Sequence, residues 1–449
     1  MTFDLQYPSN PWSNVSTNQR EIYDPLLRDI FMERAIFSRY VTTQFNLNGD
    51  QRTKTMHITS LIPPHPNFDP IGLRSLWADA SHIDSFERTI TFNRYGGKVA
   101  YHEHDDLITY WRQSGQSLPG LNRIIRSGLG QHMVDTLDYL ARNAFLSGSF
   151  ALYGQSTGTD FSAISSTDKI TTQLLDDIHL GMSYRNVPYA SAPNGIQGNI
   201  VCVTSPGVIY DLKREASNNG ESAAFIDIVK YADSVRLLNS EVGTYRNVRF
   251  VQTPRATLYN CGTITAQATI TAPVTAGDGA PSTAVDGVKT VGQSAATHYI
   301  TVSSVAGFSV NDILTIHTTR TNAYGITNGV DYADGTVHNL RVVSIDSGNN
   351  RISFDRPVMI DFDTDLGGGV YGYVTKGRHI HTAIFLGGAD GVVMGVNVPP
   401  RLHFPPAVDD YESMVRISWD AYIGNTVFNP EVFEVLYLDG SFRVKGPRQ

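Results

Sequence analysis

The sequence predicts an α+β chain, and three observations predict it. One apolar stripe with helical spacing runs through residues 118–149, far longer than any strand. Apolar and polar residues alternate with strand periodicity before and after it. Between residues 262 and 376 the composition shifts to Gly, Thr, Ser and Val with ten Asp and no Glu, and Asp-Gly, Gly-Asn and Asn-Gly turn signals recur, which is the pattern of short strands joined by tight turns. At 449 residues the chain exceeds the roughly 250–300 at which one core stops growing, so two or three domains are expected.

The elements follow in order. Residues 1–20 are rich in Asn, Ser, Pro and Thr and have little to bury, as in an extended arm, and residues 26–38 read as a short helix. Residues 54–61 and 87–101 alternate as strands around the proline-rich IPPHPNFDP, a long two-stranded excursion. In the long helix, Leu121, Ile124, Ile125, Leu129, Met133, Leu137, Leu140, Ala144 and Phe145 share one face. Pro119 opens it and Gly148 closes it, as helix-end chemistry prefers. Ile170, Leu174, Ile178 and Met182 repeat the helical spacing over residues 167–184.

Residues 199–204 read as a buried strand, followed by Ser205 as N-cap and Pro206 at the first helical position of a helix to about residue 216. Phe225, Ile228, Val229, Ala232, Val235 and Leu238 predict another helix over 223–238. Gly243 then supplies a tight turn into a strand at Val248, Arg249, Phe250 and Val251, which Pro254 ends. Within the β-rich segment, 262–296 reads as a low-complexity linker, and strands are predicted at 298–302, 313–318, 340–345 and 351–354. Residues 379–386 resume as a strand, GGADG makes a glycine turn, and 414–428 with 432–438 close the chain as a hairpin-like pair.

Composition excludes several functions. The net charge of −8, without a Lys/Arg cluster, argues against a basic nucleic-acid-binding face. Only 17% of residues are charged and 41% are apolar, which points to a surface that meets other protein. Cys202 and Cys261 form neither a disulfide framework nor a paired metal spacing, in keeping with a reducing compartment. The N-terminus lacks a secretory pattern, no run approaches the roughly 18 apolar residues of a membrane span, and synthesis in the cytoplasm is expected.

No residue set makes a complete active site. Ser205 sits at a strand-to-helix turn, but the surrounding V-T-S-P-G lacks the first glycine of a nucleophile elbow. His102-Glu103-His104-Asp105 and His379-Ile380-His381 each put two His on one strand face without locating the further ligands zinc needs. Asp361, Asp363 and Asp365 in DFDTDLGGG form a further metal candidate, for calcium; where its loop needs a bidentate Glu the chain has Gly372. Gly367-Gly368-Gly369 precedes a strand pattern rather than the helix of a phosphate cradle. Catalytic and cofactor-binding residues are therefore assigned to none. The alternative is a β-rich polysaccharide hydrolase using those three aspartates as its carboxylates.

Three stretches, SEVGTYRNVRFVQTP, HTAIFLGGADG and RISWDAYIGNTVFNPEVFEVLYL, taken with the order of elements, resemble the major capsid proteins of tailed bacteriophages, in particular the family typified by podophages that package their own RNA polymerase. The resemblance implies the Hong Kong 97-type capsid fold: an N-terminal arm (1–50), an E-loop-like β excursion (51–101), the spine helix and start of the peripheral domain (102–166), an axial-type α/β region (167–261), an inserted all-β domain (262–376), and a return to axial and peripheral domains with the C-terminal strands (377–449). It implies a structural subunit and not an enzyme, self-assembling into the pentamers and hexamers of an icosahedral head around double-stranded DNA. Portal, scaffolding and decoration proteins are the implied partners, the scaffold being a separate chain, with the virion as location and no cofactor or membrane. A mildly acidic chain suits a shell that must not adhere to its genome. Lys54 and Lys98 lie in or beside the E-loop, where some members form a Lys–Asn crosslink. Another virion component, of tail or decoration, is the remaining alternative; it leaves the long helix unexplained.

Overall fold

The computed structural model describes residues 35–45, 54–62, 84–102, 121–154, 160–189, 200–218, 225–227, 240–275, 279, 299–318, 337–356, 358, 360–388, 390–404 and 414–442. In chain order the elements are β1 (Thr42–Phe45), β2 (Thr55–Ile62), β3 (Asp84–Thr91), β4 (Asn93–His102), α1 (Leu121–Leu146), β5 (Ala151–Tyr153), α2 (Thr172–Tyr184), β6 (Ile200–Thr204), α3 (Pro206–Asn218), β7 (Phe225–Asp227), β8 (Glu241–Tyr245), β9 (Val248–Gln252), β10 (Thr257–Leu258), β11 (Ile264–Ile270), β12 (Ile300–Thr301), β13 (Ile313–His317), β14 (Val337–Asp346), β15 (Arg351–Phe354), β16 (Gly372–Gly377), β17 (Ile380–Leu386), β18 (Val392–His403), β19 (Met414–Val427) and β20 (Phe433–Leu438).

The largest sheet runs β5-β20-β17-β6-β9-β8-β7, with β10 also on β17. Its central strands IHTAIFL and FEVLYL are buried at every position, because helices cover both faces and leave no place for the polar half of an alternating pattern. On one face Val201, Val203, Ile384 and Tyr437 pack with Ala141, Ala144, Phe145 and Leu146 of α1. On the other, Ile200, Cys202, Phe250 and Phe385 meet Leu175, Ile178 and Met182 of α2 and Val208, Ile209 and Leu212 of α3. Thr171 caps α2 by accepting the Leu174 N–H at 3.2 Å, the N-terminal signal of Ser and Thr.

A second sheet has the order β1-β18-β19-β4, with β1 parallel to β18 and the other pairs antiparallel. The other half of the α1 stripe covers it: Leu129, Met133 and Leu137 pack with Ile417, Trp419, Ala421 and Ile423. The 26-residue α1 therefore bridges two sheets. β2 and β3 form a separate two-stranded sheet.

The remaining six strands run β11-β16-β13-β14-β15-β12, and the sheet closes on itself. Past the end of β12, Val302 bridges to Ile270 of β11, Thr271 donates to the Thr301 carbonyl at 3.0 Å and Ser303 to that of Thr269 at 2.8 Å. The result is a small antiparallel barrel around its own core, including Leu314, Ile316, Leu340, Val342, Ile352, Phe354 and Val374.

Several expectations are corrected. Phe225–Asp227 is a strand against β8 rather than the start of a helix, and residues 228–239 lie outside the described ones. Gly243 is inside β8, opposite Phe250 at a register shift. The chain reverses three residues later, where Arg246 takes the positive φ of 47° that a two-residue hairpin turn requires; its side chain pairs with Asp176. The expected linker at 262–296 begins with β11, paired to β16. The last two strands do not pair with each other: β19 joins β18 and β4, whereas β20 joins β17 and β5. Of the expected helix over 26–38, residues 26–34 lie outside the described ones, and Phe37–Tyr40 is a single 3-10 turn.

Candidate functional site

The β2–β3 hairpin is where the sequence spends backbone without pairing it. Among the described residues neither strand has a second neighbour, and an isolated two-stranded hairpin is marginal in water. Directly opposed residues share a face, so Met56 with Ile90, Ile58 with Arg88 and Ser60 with Phe86 form one side, and His57 with Thr89 and Thr59 with Glu87 the other. The first side is seated: Ile58, Ile90 and Phe92 cluster with Val393 and the partly buried Met56 and Phe428, and the Phe86 ring lies 5.5 Å from that of Phe428. The second side is exposed and polar, with His57 and Glu87 paired across it.

A glycine pair makes the seat. Gly395 of β18 and Gly424 of β19 are direct partners. A methyl on Gly424 would overlap the Thr91 carbonyl oxygen and come within 2.6 Å of Ile90 Cγ2; one on Gly395 would sit 3.0 Å from Phe92 Cε1. The hairpin base thus lies directly on sheet backbone. The expected continuous strand over 87–101 breaks at Phe92 for this reason, its N–H bonding the Lys54 carbonyl at 2.9 Å while β4 leaves to join β19.

Farther along the same sheet, three strands deliver charge to one point. Asp420 of β19 is 5% exposed and accepts from Arg94 Nε at 3.2 Å and Nη2 at 2.9 Å, and from Arg401 Nε at 3.1 Å; it also bonds His403 Nε2 at 2.6 Å. Burial alone would raise its carboxyl, but these bonds hold it below the usual carboxylate range. A notch of about 310 Å³ opens here, lined also by Lys98 and Trp419. The Trp419 indole N–H donates to His132 Nδ1 of α1 at 3.1 Å.

A second charged joint ties α1 to the α/β sheet. Arg255, in the turn after β9, bonds Asp138 at 2.8 Å and Asp135 at 2.6 Å. Arg142 donates to the Arg255 carbonyl at 3.0 Å, and the Ser38 N–H reaches Asp138 at 3.0 Å. Burial would lower the Arg255 guanidinium, and the two carboxylates more than reverse that, raising it. Asp138 and Arg142 were invisible as a site because they lie within the apolar stripe of α1; a charged pair four apart on a buried face was the available signal.

The residues singled out in the sequence fall elsewhere. Ser205 is 0% and His381 1% exposed, and Ser205 Oγ lies 2.7 Å from His381 Nδ1. The pair has no access for a substrate, and His381 Nε2 meets no hydrogen-bond partner among the described residues. Desolvation by burial lowers both His379 and His381 to about 4, so both are neutral. His379 Nδ1 accepts the Asn260 N–H at 3.1 Å, and Phe442 packs against both imidazoles. Asp361, Asp363 and Asp365 are exposed. Asp365 accepts the Gly367 and Gly369 N–H groups at 2.8 and 3.2 Å, and Gly367, Gly368 and Gly369 all have positive φ in a loop leading to β16. Among the described residues no three His, Cys, Asp or Glu side chains gather as a metal would need. Glu103, His104 and Asp105 lie outside the described residues. Lys54 and Lys98 are both exposed, at the hairpin base and on β4. No described helix is long and apolar enough to cross a membrane.

No protein-family model matches the sequence and no curated protein matches it. Solved structures do. The chain aligns over 100% of its length with 99% of a chain in the capsid of Ralstonia phage GP4, at 10% identity and a TM-score of 0.51. Chains of the cyanophage Pam1 capsid (11% identity, 95% and 97% covered, TM-score 0.49) and of the cyanophage P-SCSP1u capsid (11%, 94% and 93%, 0.48) are also similar. The fold is thus that of a bacteriophage capsid protein, the Hong Kong 97-type α+β fold expected from the sequence.

Proposed function

We propose that this chain is a major capsid protein that assembles as pentamers and hexamers into an icosahedral phage head enclosing double-stranded DNA. The observation that carries the reading is the end-to-end correspondence with the Ralstonia phage GP4 capsid chain, 100% of one against 99% of the other. The half-seated β2–β3 hairpin supports it independently, since a strand pair with open edges gains stability by lying on a neighbour. In this reading residues 1–50 are the arm, 51–101 the E-loop and 102–166 the spine region. Residues 167–261 and 377–449 make the axial and peripheral parts, and 262–376 are an insertion on the outside of the shell. Synthesis in the host cytoplasm, a separate scaffold, a portal and a decoration protein belong to the same proposal.

Expression followed by sedimentation and negative-stain imaging tests it: uniform closed shells are expected. Protein that stays monomeric or dimeric under every assembly condition sinks it. Shells that still close after deletion of residues 262–376 would support the peripheral placement of the barrel, and total loss of assembly would oppose it.

A further inference from the structure

The Asp420 notch holds more cation than it uses. Arg94 and Lys98 line it, and Arg401 bonds the same Asp420 carboxylate from β18, three permanent cations in a chain whose net charge is −8. Arg401 reaches Asp420 through Nε, and among the described residues its two terminal nitrogens have no partner. Lys98, which projects from β4 opposite Ser418, has no ion pair among the described residues. Asp420 therefore anchors guanidinium groups that keep solvent-accessible donors, and arginine donors of this kind bind carboxylates and phosphates.

We propose that this notch receives an Asp or Glu side chain from a second copy of the chain, as an ion-pair contact between subunits. The inference rests on the shell-forming reading. The room, about 310 Å³, suits one side chain, whereas a duplex would need several cations along a stripe to displace its counterions. The acidic remainder of the chain supplies the complementary charge. The notch also lies on β18 and β19, the strands that seat the β2–β3 hairpin, the element proposed to lie on a neighbouring subunit. A contact between unlike patches is the kind that builds a ring when its rotation closes, as in a pentamer or hexamer.

The test uses shells assembled from equal amounts of ordinary and isotope-labelled protein, treated with a zero-length carbodiimide crosslinker. The expected result is Lys98 joined by an amide to an Asp or Glu, with mixed-isotope pairs making about half of the crosslinked peptides, and loss of that product in Lys98→Gln. Lys98→Gln, which breaks no ion pair among the described residues, should also raise the critical concentration for assembly about tenfold, the equivalent of ~1.4 kcal/mol, with the thermal midpoint of the dissociated subunit unchanged. Shells without a Lys98-dependent crosslink, or with same-isotope pairs only, overturn the notch assignment while leaving the shell reading intact. Failure of the unmodified protein to assemble overturns the shell reading itself. Loss of duplex oligonucleotide binding in Lys98→Gln, without a crosslink, would assign the notch to phosphate instead and overturn the proposal.

Discussion

Replacing Arg255 by Met tests the joint between α1 and the α/β sheet. The guanidinium is 5% exposed and its partner Asp138 0%, so the substitution leaves a carboxylate charged and out of water. Asp135, with 29% of its side chain accessible, returns to solvent and adds little. Removing one partner of a buried pair costs roughly 3–5 kcal/mol. Asp138 keeps the Ser38 N–H, and Arg142 keeps its bond to the carbonyl of residue 255, which places the expected loss near the lower end, ~3 kcal/mol. Adding Asp138→Asn removes the stranded charge, so the double variant should be more stable than Arg255→Met alone by about 1 kcal/mol or more. Urea unfolding of the dissociated subunit, followed by tryptophan fluorescence, reads both. A single-variant loss below ~1 kcal/mol, or a double variant equal to the sum of the singles, would refute the reasoning.

Acid should weaken the fold through His379 and His381. The unfolded chain takes up their protons near 6.5 and the folded one only near 4, so their contribution is complete above about pH 6.5 and is lost as pH falls toward 4. For His381 the difference is ~3 kcal/mol, seen as a urea midpoint that falls between pH 7 and pH 4.5 and falls less in His381→Gln. Gly424→Ala should lift the hairpin off its seat, costing ~1–3 kcal/mol as overpacking does and suppressing shells in light scattering; normal assembly would disprove the seat. Asn260→Ala should loosen the barrel from the sheet, because Asn260 joins Thr315 at 2.8 Å and the Gly377 N–H at 3.0 Å. About 1–3 kcal/mol is expected, with faster amide exchange at β13 and β16 and unchanged exchange at β17.

Elements that bury one face by local periodicity were legible in the sequence. The α1 stripe and the unbroken runs of β6, β17 and β20 each report their own environment, whatever they pair with. Partner choice is a tertiary matter, and it failed first: β19 and β20 are separated by the short Pro430–Val432 turn, which reads as a hairpin connection although the strands enter different sheets. β18 was missed because VVMGVNVPPRLH contains Gly395 and two prolines. The register shifts after Val396 and Val398 are how a strand accommodates residues that cannot keep a regular ladder. The notch was illegible because Arg94, Arg401 and Asp420 meet only through strand pairing, 326 and 19 residues apart. Its local trace is an Asp set between the buried Trp419 and Ala421 of β19.

The chain answers the problem of open strand edges in two opposite ways. The six-stranded barrel returns from Val302 to Ile270 and so closes its sheet; among the described residues its end strands meet each other, and a unit of that kind can stand on the outside of an assembly without templating further pairing. The β2–β3 hairpin keeps both edges open among the described residues, and its cross-strand side chains divide into a face seated through Met56, Ile58 and Ile90 and an exposed polar one. Closure costs the barrel the ability to recruit a partner through its backbone, and openness costs the hairpin independent stability. That asymmetry is why substitution at Gly424, a single buried backbone contact, is expected to damage assembly more than removal of the whole barrel.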